Sequence, residues 1–490
     1  MKILFSIIIL LLSGCSLYEA PEVPEIELPP AFKVSIKSVN PSLEDEWWKN
    51  FHDKQLNALV ALALKNNYSY QIAIKNIEIA QTYVSQNTSY LFPQVNAEFG
   101  GSRNKLVPSE FFGAFSNPNN PMSTASNSDL SASPLGSGIN TAPFNVAILS
   151  ASASYELDIW NQIRHAVNQA EADTASSAAN AQVVKLTLVS NVVNAYYQIM
   201  ALNANILNLE QQYNAAKEIT ALIKVQLESG LIDATNFYTA QMQEEGILSQ
   251  IKTLKKQKQI TEHTLAYLVS EYPENFSIEP RAALDQLRFT QLIPPGIPSS
   301  MLGMRPDIQS AFYQALAYGY AEKQSIANFL PSFTVTAGYG YANNTLAQLL
   351  QSSNAFWNYG IGVSQFVFDY AIRQSEYERA KHQYEAAVLS YKDTVVSAFS
   401  EVNSALVSYK EDNEALIAIE AQYKQSEELL NLAHAQYQAG LVNYITYLNN
   451  DLIMLQNKYN VTSQQLLLVQ DIIQVYKNLG WGLGVPSSMP

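Results

Sequence analysis

Apolar positions along "LNALVALALKNNYSYQIAIKNIEIAQTYVSQNTSYLFP" recur at three- and four-residue spacing and stop at Pro93, which predicts a helix giving way to a strand. The stretch "MRPDIQSAFYQALAYGYAEKQSIANFLP" does the same and stops at Pro331. Beyond each proline the period turns from helical to alternating. Val95, Ala97 and Phe99 alternate with Asn96 and Glu98, and Phe333, Val335, Ala337, Tyr339 and Tyr341 alternate with threonines and glycines. Two more alternating stretches follow. In one, Ala147, Leu149, Ala151, Ala153 and Tyr155 face away from Ser150, Ser152, Ser154 and Glu156; in the other, Trp357, Tyr359, Ile361 and Val363 face away from Asn358, Gly360, Gly362 and Ser364. The predicted strands cover about 93–102, 144–158, 331–341 and 357–369. The alternation by itself fits a half-buried sheet and the lipid-facing wall of an outer-membrane barrel equally well.

After each strand pair the helical period resumes. From Asn161 to about Ser229, and from Ala371 to about Ala439, there is neither proline nor a cluster of turn residues. At a rise of 1.5 Å per residue each stretch predicts a helix of roughly 100 Å. Such helices need partners along the whole apolar stripe, so coiled-coil packing is expected. Returning helices are predicted over about Ile232–Val269 and Asn443–Asn478.

The turns between them match. "QLESGLIDATNFYTAQ" begins at Gln226 and "QYQAGLVNYITYLNND" at Gln436, so Gly230 and Gly440 are 210 positions apart, as are Ala195 and Ala405. The junctions "YELDIWNQIR" and "FVFDYAIRQ" match as Asp158 to Asp369, with a gap of one or two residues. The chain is therefore an internal duplication, with a first repeat over 47–270, a linker over 271–300 that holds "IPPGIPSS", a second repeat over 301–478 and a tail over 479–490. Four strands leave open edges that lipid cannot satisfy. If the strands cross a membrane, the chain must oligomerise, and three copies supply twelve strands in a closed ring.

Charge narrows the partners. The formal net charge is −14 and the basic residues are dispersed, which excludes a phosphate-binding footprint and with it nucleic acid. Lys2, the apolar run Ile3–Leu12 and "LSGC" predict a signal peptide over 1–14. "LSGC" resembles the bacterial lipobox, which makes Cys15, the only cysteine, the site of lipidation; the absence of Asp after it, where Ser16 stands, implies sorting to the outer membrane. Residues 15–46 predict an extended Pro/Glu-rich tether. Arg103–Ala142, rich in Asn, Ser, Pro and Gly, is a loop by composition.

Catalytic chemistry is absent from the sequence. His52, His165, His263, His382 and His434 are far apart, none at metal-ligand spacing, and no zinc, nucleophile-elbow or dinucleotide motif is complete. No enzyme, metal or cofactor is expected. Arg305, Pro306 and Asp307 suit a helix start, and Trp47 and Trp48 suit packing of the first helix.

Taken together, "WWKNFHDKQLNALVALALKNN", "YELDIWNQIR", "IPSSMLGMRPDI", the pair "FLPSFTVTAGYGY" and "FVFD", "YQAGLVNYITYL" and "VYKNLGWG" make the chain resemble the TolC-like outer membrane factors, particularly the lipoproteins that serve resistance-nodulation-division efflux pumps. The resemblance implies a mixed, predominantly α-helical fold: a long coiled-coil helical barrel plus a twelve-stranded membrane β-barrel completed by a trimer, four strands per chain. It implies an exit duct in the bacterial outer membrane, working with a periplasmic adaptor, an inner-membrane transporter and outer-membrane lipid. It also implies a periplasmic gate at Ile445, Thr446, Asn449 and Asp451. Ile445 falls at an apolar constriction; Thr446 and Asn449 stand where relatives often place aspartates, and Asp451 lies close by. Adaptor docking is expected at Gly230, Leu231, Thr235 and Asn236 on one turn and at Tyr437, Gly440, Leu441 and Asn443 on the other. An outlet for type I protein secretion shares this fold, and a structural envelope protein displaying the Asn/Ser-rich loop is a second alternative.

Overall fold

The computed structural model describes residues 20–24, 26, 29, 32, 46–104, 143–278, 303, 305–369 and 371–480. The predicted signal peptide, Cys15, most of the tether, most of the 103–142 loop, most of the 271–300 linker and residues 481–490 lie outside the described residues. The elements run α1 (Lys54–Asn66), α2 (Tyr68–Ser89), β1 (Gln94–Asn104), β2 (Phe144–Glu156), α3 (Gln162–Glu228), α4 (Ala234–Leu268), α5 (Pro306–Ala327), β3 (Ser332–Asn343), β4 (Ala355–Ser364), α6 (Ile372–Gln438) and α7 (Tyr444–Leu479).

Two offsets relate the halves. Tyr68–Ser89 falls on Pro306–Ala327, and Gln94 on Ser332, after 238 positions; Gln162–Glu228 falls on Ile372–Gln438, and Ala234 on Tyr444, after 210. The difference of 28 is the extra length of the first inter-strand loop, 39 residues (105–143) against 11 (344–354). The correspondence reaches the backbone. Asn161 and Ala371, each just before a long helix, have φ of 58° and 66°.

The chain forms two compact units. One comprises residues 83–169 and 320–381 and contains the sheet. Its four strands lie in the order β1-β2-β3-β4, each antiparallel to the next. The register places all the predicted apolar positions on one face: Ala97, Ala151, Tyr339 and Trp357 form one rung, and Val95, Ala153, Ala337 and Tyr359 the next. The other face is tight. A Cβ on Gly340 would lie 2.6 Å from the Leu149 carbonyl oxygen, 2.7 Å from Ser150 Cβ and 2.9 Å from Phe356 Cζ. β4 stops at Ser364, short of the predicted 369, because Ser364 is opposite Ser332, the first residue of β3, and no partner remains beyond it. Asp158 starts α3 by accepting from Ile163 N at 2.9 Å and Arg164 N at 3.0 Å, and Trp160 Nε1 donates to the Pro331 carbonyl at 2.7 Å.

The other unit, residues 22–82, 170–319 and 382–490, is helical and holds the main apolar core among the described residues. Trp47 is 1% exposed and stacks on Tyr476 at 5.0 Å, and Phe51 packs on Tyr197 at 5.1 Å. Asp53 caps α1 through Gln55 N and Leu56 N and accepts from the Tyr196 hydroxyl at 2.6 Å, which ties the start of α1 to α3. The predicted single helix before Pro93 is two helices. Asn67 leaves helical geometry with ψ of 121°, caps α2 by accepting from Tyr70 N at 3.0 Å, and donates to the Leu268 carbonyl at 2.9 Å. Its backbone N–H closes α1 on the Ala63 carbonyl, so one buried asparagine serves three helix ends at once.

α3 carries two seams. Leu209, Ala216, Ile247 and Ile251 join it to α4, and Ala215, Ile219, Leu448 and Leu452 join it to α7. The returning helix of the second hairpin therefore lies against the long helix of the first.

Candidate functional site

The two helical turns are built alike. Gly230 N donates to Leu227 O and Leu231 N to Gln226 O, each at 2.9 Å; Gly440 N donates to Tyr437 O and Leu441 N to Gln436 O at the same distance. This is the hydrogen-bond pattern that closes a helix on a left-handed residue, and it explains glycine at both steps, φ being +68° and +72°. The next helix opens on a side-chain cap in each case, Asp233 accepting from Thr235 N at 2.8 Å and Asn443 from Thr446 N at 2.8 Å.

Gly230, Leu231, Thr235 and Asn236 are exposed on the first turn, and Gly440, Leu441 and Asn443 on the second; Leu231 and Leu441 are 74% and 76% exposed. Ile445 is half-buried and packs on the cluster that joins α7 to α3. Thr446 and Asn449 are exposed, and the Thr446 hydroxyl donates to Asn443 Oδ1 at 2.9 Å. Asp451 is half-buried, and burial pushes its carboxyl above the usual range.

Symmetry breaks at one place that sequence reasoning named only in part. Tyr437, Tyr444 and Tyr447 stand together at ring separations of 5.1, 5.7 and 6.2 Å, with His434 5.5 Å from Tyr447. The Tyr444 hydroxyl reaches Glu218 on α3. The first turn has Leu227, Ala234, Phe237 and Lys224 at the equivalent positions, so only the second turn is pinned by an aromatic cluster. The signal lay in the tyrosines flanking Gly440.

A second undervalued group is Arg305, 6% exposed. Its guanidinium donates to the Asn478 carbonyl at 2.6 Å, to Glu401 Oε2 at 2.9 Å and to both Asp307 oxygens at 3.0 and 2.7 Å, joining the start of α5 to α6 and to the end of α7. The "RPD" of the sequence is thus a clamp. Among the described residues no three His, Cys, Asp or Glu side chains converge as a metal site, and no helix is long and apolar enough to cross a membrane.

The apolar strand face is uncovered within the chain. Val95, Trp357 and Ile361 are 74%, 69% and 75% exposed, and among the described residues the outer edges of β1 and β4 have no partner strand. The sequence pattern of the outer membrane efflux protein family matches residues 59–270 and 297–480. The chain belongs to this family.

Relatives agree over nearly the full length. The antibiotic efflux pump outer membrane protein ArpC of Pseudomonas putida is 26% identical over 481 residues, 96% of this chain and 93% of that protein. The cation efflux system protein CusC of Escherichia coli K12 is 24% identical, covering 98% of this chain and 99% of its own. The solved open state of the Neisseria gonorrhoeae MtrE outer membrane channel superposes with a TM-score of 0.79 at 22% identity, covering 95% of this chain and 97% of that one, which establishes the shared fold. As a member of the family, the protein is an outer membrane efflux channel, a duct and not an enzyme.

Proposed function

We propose that three copies close into a single duct, twelve strands forming the barrel in the outer membrane and the paired hairpins forming its periplasmic extension. The observation that carries this is the four-stranded sheet with two unpaired edges and an exposed apolar face, since neither an open edge nor a single sheet is stable in lipid. Cys15 carries the lipid that anchors each copy. A resistance-nodulation-division transporter supplies the energy, and a periplasmic adaptor docks on the turns around Gly230 and Gly440, where Leu231 and Leu441 offer exposed apolar contacts.

Opening is a shift of α7 on α3 near Ile445, and the Tyr437–Tyr444–Tyr447 cluster holds the closed position. Thr446 and Asn449 line the aperture as neutral dipoles. The named cargoes of relatives, which include antibiotics, toluene, pyoverdine and cations, support small-molecule efflux over the alternative, a type I protein secretion outlet.

Asn443 caps α7, so a docking probe belongs on its exposed neighbour Leu441. With Leu441→Cys carrying a photocrosslinker in living cells, capture of a resistance-nodulation-division adaptor is expected. Capture of an ABC-type secretion adaptor would move the protein to the secretion class, and no capture by a labelled, folded tip would remove the docking role.

A further inference from the structure

The internal duplication carries more than a count of strands. Within one chain, the seam between the repeats is β2 against β3, with Ala151 opposite Tyr339, Ala153 opposite Ala337 and Tyr155 opposite Val335. β2, α3 and α4 map to the second repeat by 210 positions, and α2 and β1 map by 238. β2 therefore maps onto β4 and β3 maps back onto β1, which are the two free edges of the sheet.

Building on the reading that copies of this chain close the barrel, we propose the residue register at which they join. Val363 lies opposite Phe99 of the partner subunit, Ile361 opposite Gly101 of the partner subunit, and Gln365 opposite Ala97 of the partner subunit. A slip of one residue would turn the apolar face of one strand toward the small, polar face of the next.

Three observations support this register. Val363 and Phe99 belong to the same apolar face yet are 62% and 66% exposed in the single chain. The seam inside the chain sets small Ala151 against large Tyr339, and the transferred seam sets large Ile361 against Gly101, so side-chain volume is complementary again. β4 stops at Ser364, whereas its counterpart β2 runs to Glu156, the equivalent of Phe366. The transferred register gives Gln365 and Phe366 the strand partner they lack here.

The helical unit makes the same statement independently. α5 packs on the preceding long helix, Ser310 Oγ lying 3.0 Å from Ser176 Oγ, both buried. By the two offsets this pair becomes Ile72 of α2 and Ala386 of α6. Both are exposed in the chain, Ile72 by 60%. In the assembly Ala386 sits beside Ile72 of the partner subunit.

The test is oxidative cross-linking in outer membranes of full-length chain carrying Phe99→Cys with Val363→Cys, compared with Ala97→Cys with Val363→Cys and with each single variant. Facing strand residues are within disulfide reach and diagonal ones are at its limit, so the 99/363 pair should give covalent oligomers about tenfold more efficiently than 97/363. Ile72→Cys with Ala386→Cys leaves the strands untouched and should cross-link as well. Preferential cross-linking at 97/363 overturns the register while leaving the assembly intact. Absence of cross-links from both 99/363 and 72/386 in protein that still forms pores overturns the transferred seam alone. Absence of cross-links in protein that is monomeric and silent overturns the assembly reading with it.

Discussion

Gly230 and Gly440 hold the same left-handed step of two helical turns 210 residues apart, and in neither would an added Cβ meet another atom within 4 Å. The glycines are there for backbone conformation alone. Gly440→Ala should therefore cost only about 1 kcal/mol, the usual penalty for an L-residue in that region, and should shift the thermal midpoint of the extracted protein by a few degrees. Gly340→Ala is the contrasting case. Its Cβ would overlap the Leu149 carbonyl and Phe356, so this variant should lower the thermal midpoint well beyond the Gly440 variant.

Arg305 spreads one guanidinium over Asp307, Glu401 and the Asn478 carbonyl. Lysine offers a point charge and cannot reach all of these at once. Arg305→Ala should destabilise by about 1–3 kcal/mol, because it strands the Asn478 carbonyl and the half-buried Asp307 carboxylate, while the exposed Glu401 returns to water at little cost. Arg305→Lys should recover less than half of that loss, as measured by denaturation followed by circular dichroism.

Much of this architecture was legible in the sequence. The predicted helix from Asn161 to about Ser229 is Gln162–Glu228, since a long proline-free apolar stripe and a glycine stop are strong local signals. The alternation of Val95, Ala97 and Phe99 gave the strand face for the same reason. What escaped was set by distant partners. The helix break at Asn67 depends on the Leu268 carbonyl 201 residues away, and the clamp at Arg305 depends on Asn478. The early end of β4 depends on where β3 begins. At the tips, the sequence marked Asn443 for docking and did not mark the second task of its Oδ1, the capping of α7, a role that Asn and Asp share at helix starts and that the match with Asp233 could have revealed.

Stability should vary with pH through Asp471. Burial, with the nearby Asp412 carboxylate adding to it, pushes the Asp471 carboxyl up to about 7. The folded state then holds a proton that the unfolded chain releases near pH 4. Between about pH 4 and pH 7 the folded state binds more protons than the unfolded one, so stability declines as pH rises through that window. Asp471→Asn should flatten the decline and raise the melting temperature at pH 8 relative to the parent. An unchanged pH profile in the variant would assign the dependence to another group.

The aperture proposed at Thr446 and Asn449 can be tested with ions. Thr446 and Asn449 are exposed and neutral, so multivalent cations such as hexamminecobalt should leave conductance largely unaffected. Thr446→Asp with Asn449→Asp would place a ring of carboxylates in each assembled tip, and the same cations should then block from the periplasmic side. Strong block of the parent protein would locate a different acidic ring, with the half-buried Asp451 the first candidate.

The central claim is that this chain builds a closed duct only as an assembly. The most direct measurement is planar-bilayer recording of the full-length protein, extracted in mild detergent and sized by light scattering in the same preparation. A trimer that inserts with discrete, uniform conductance steps is expected. A stable monomer that never conducts would contradict it.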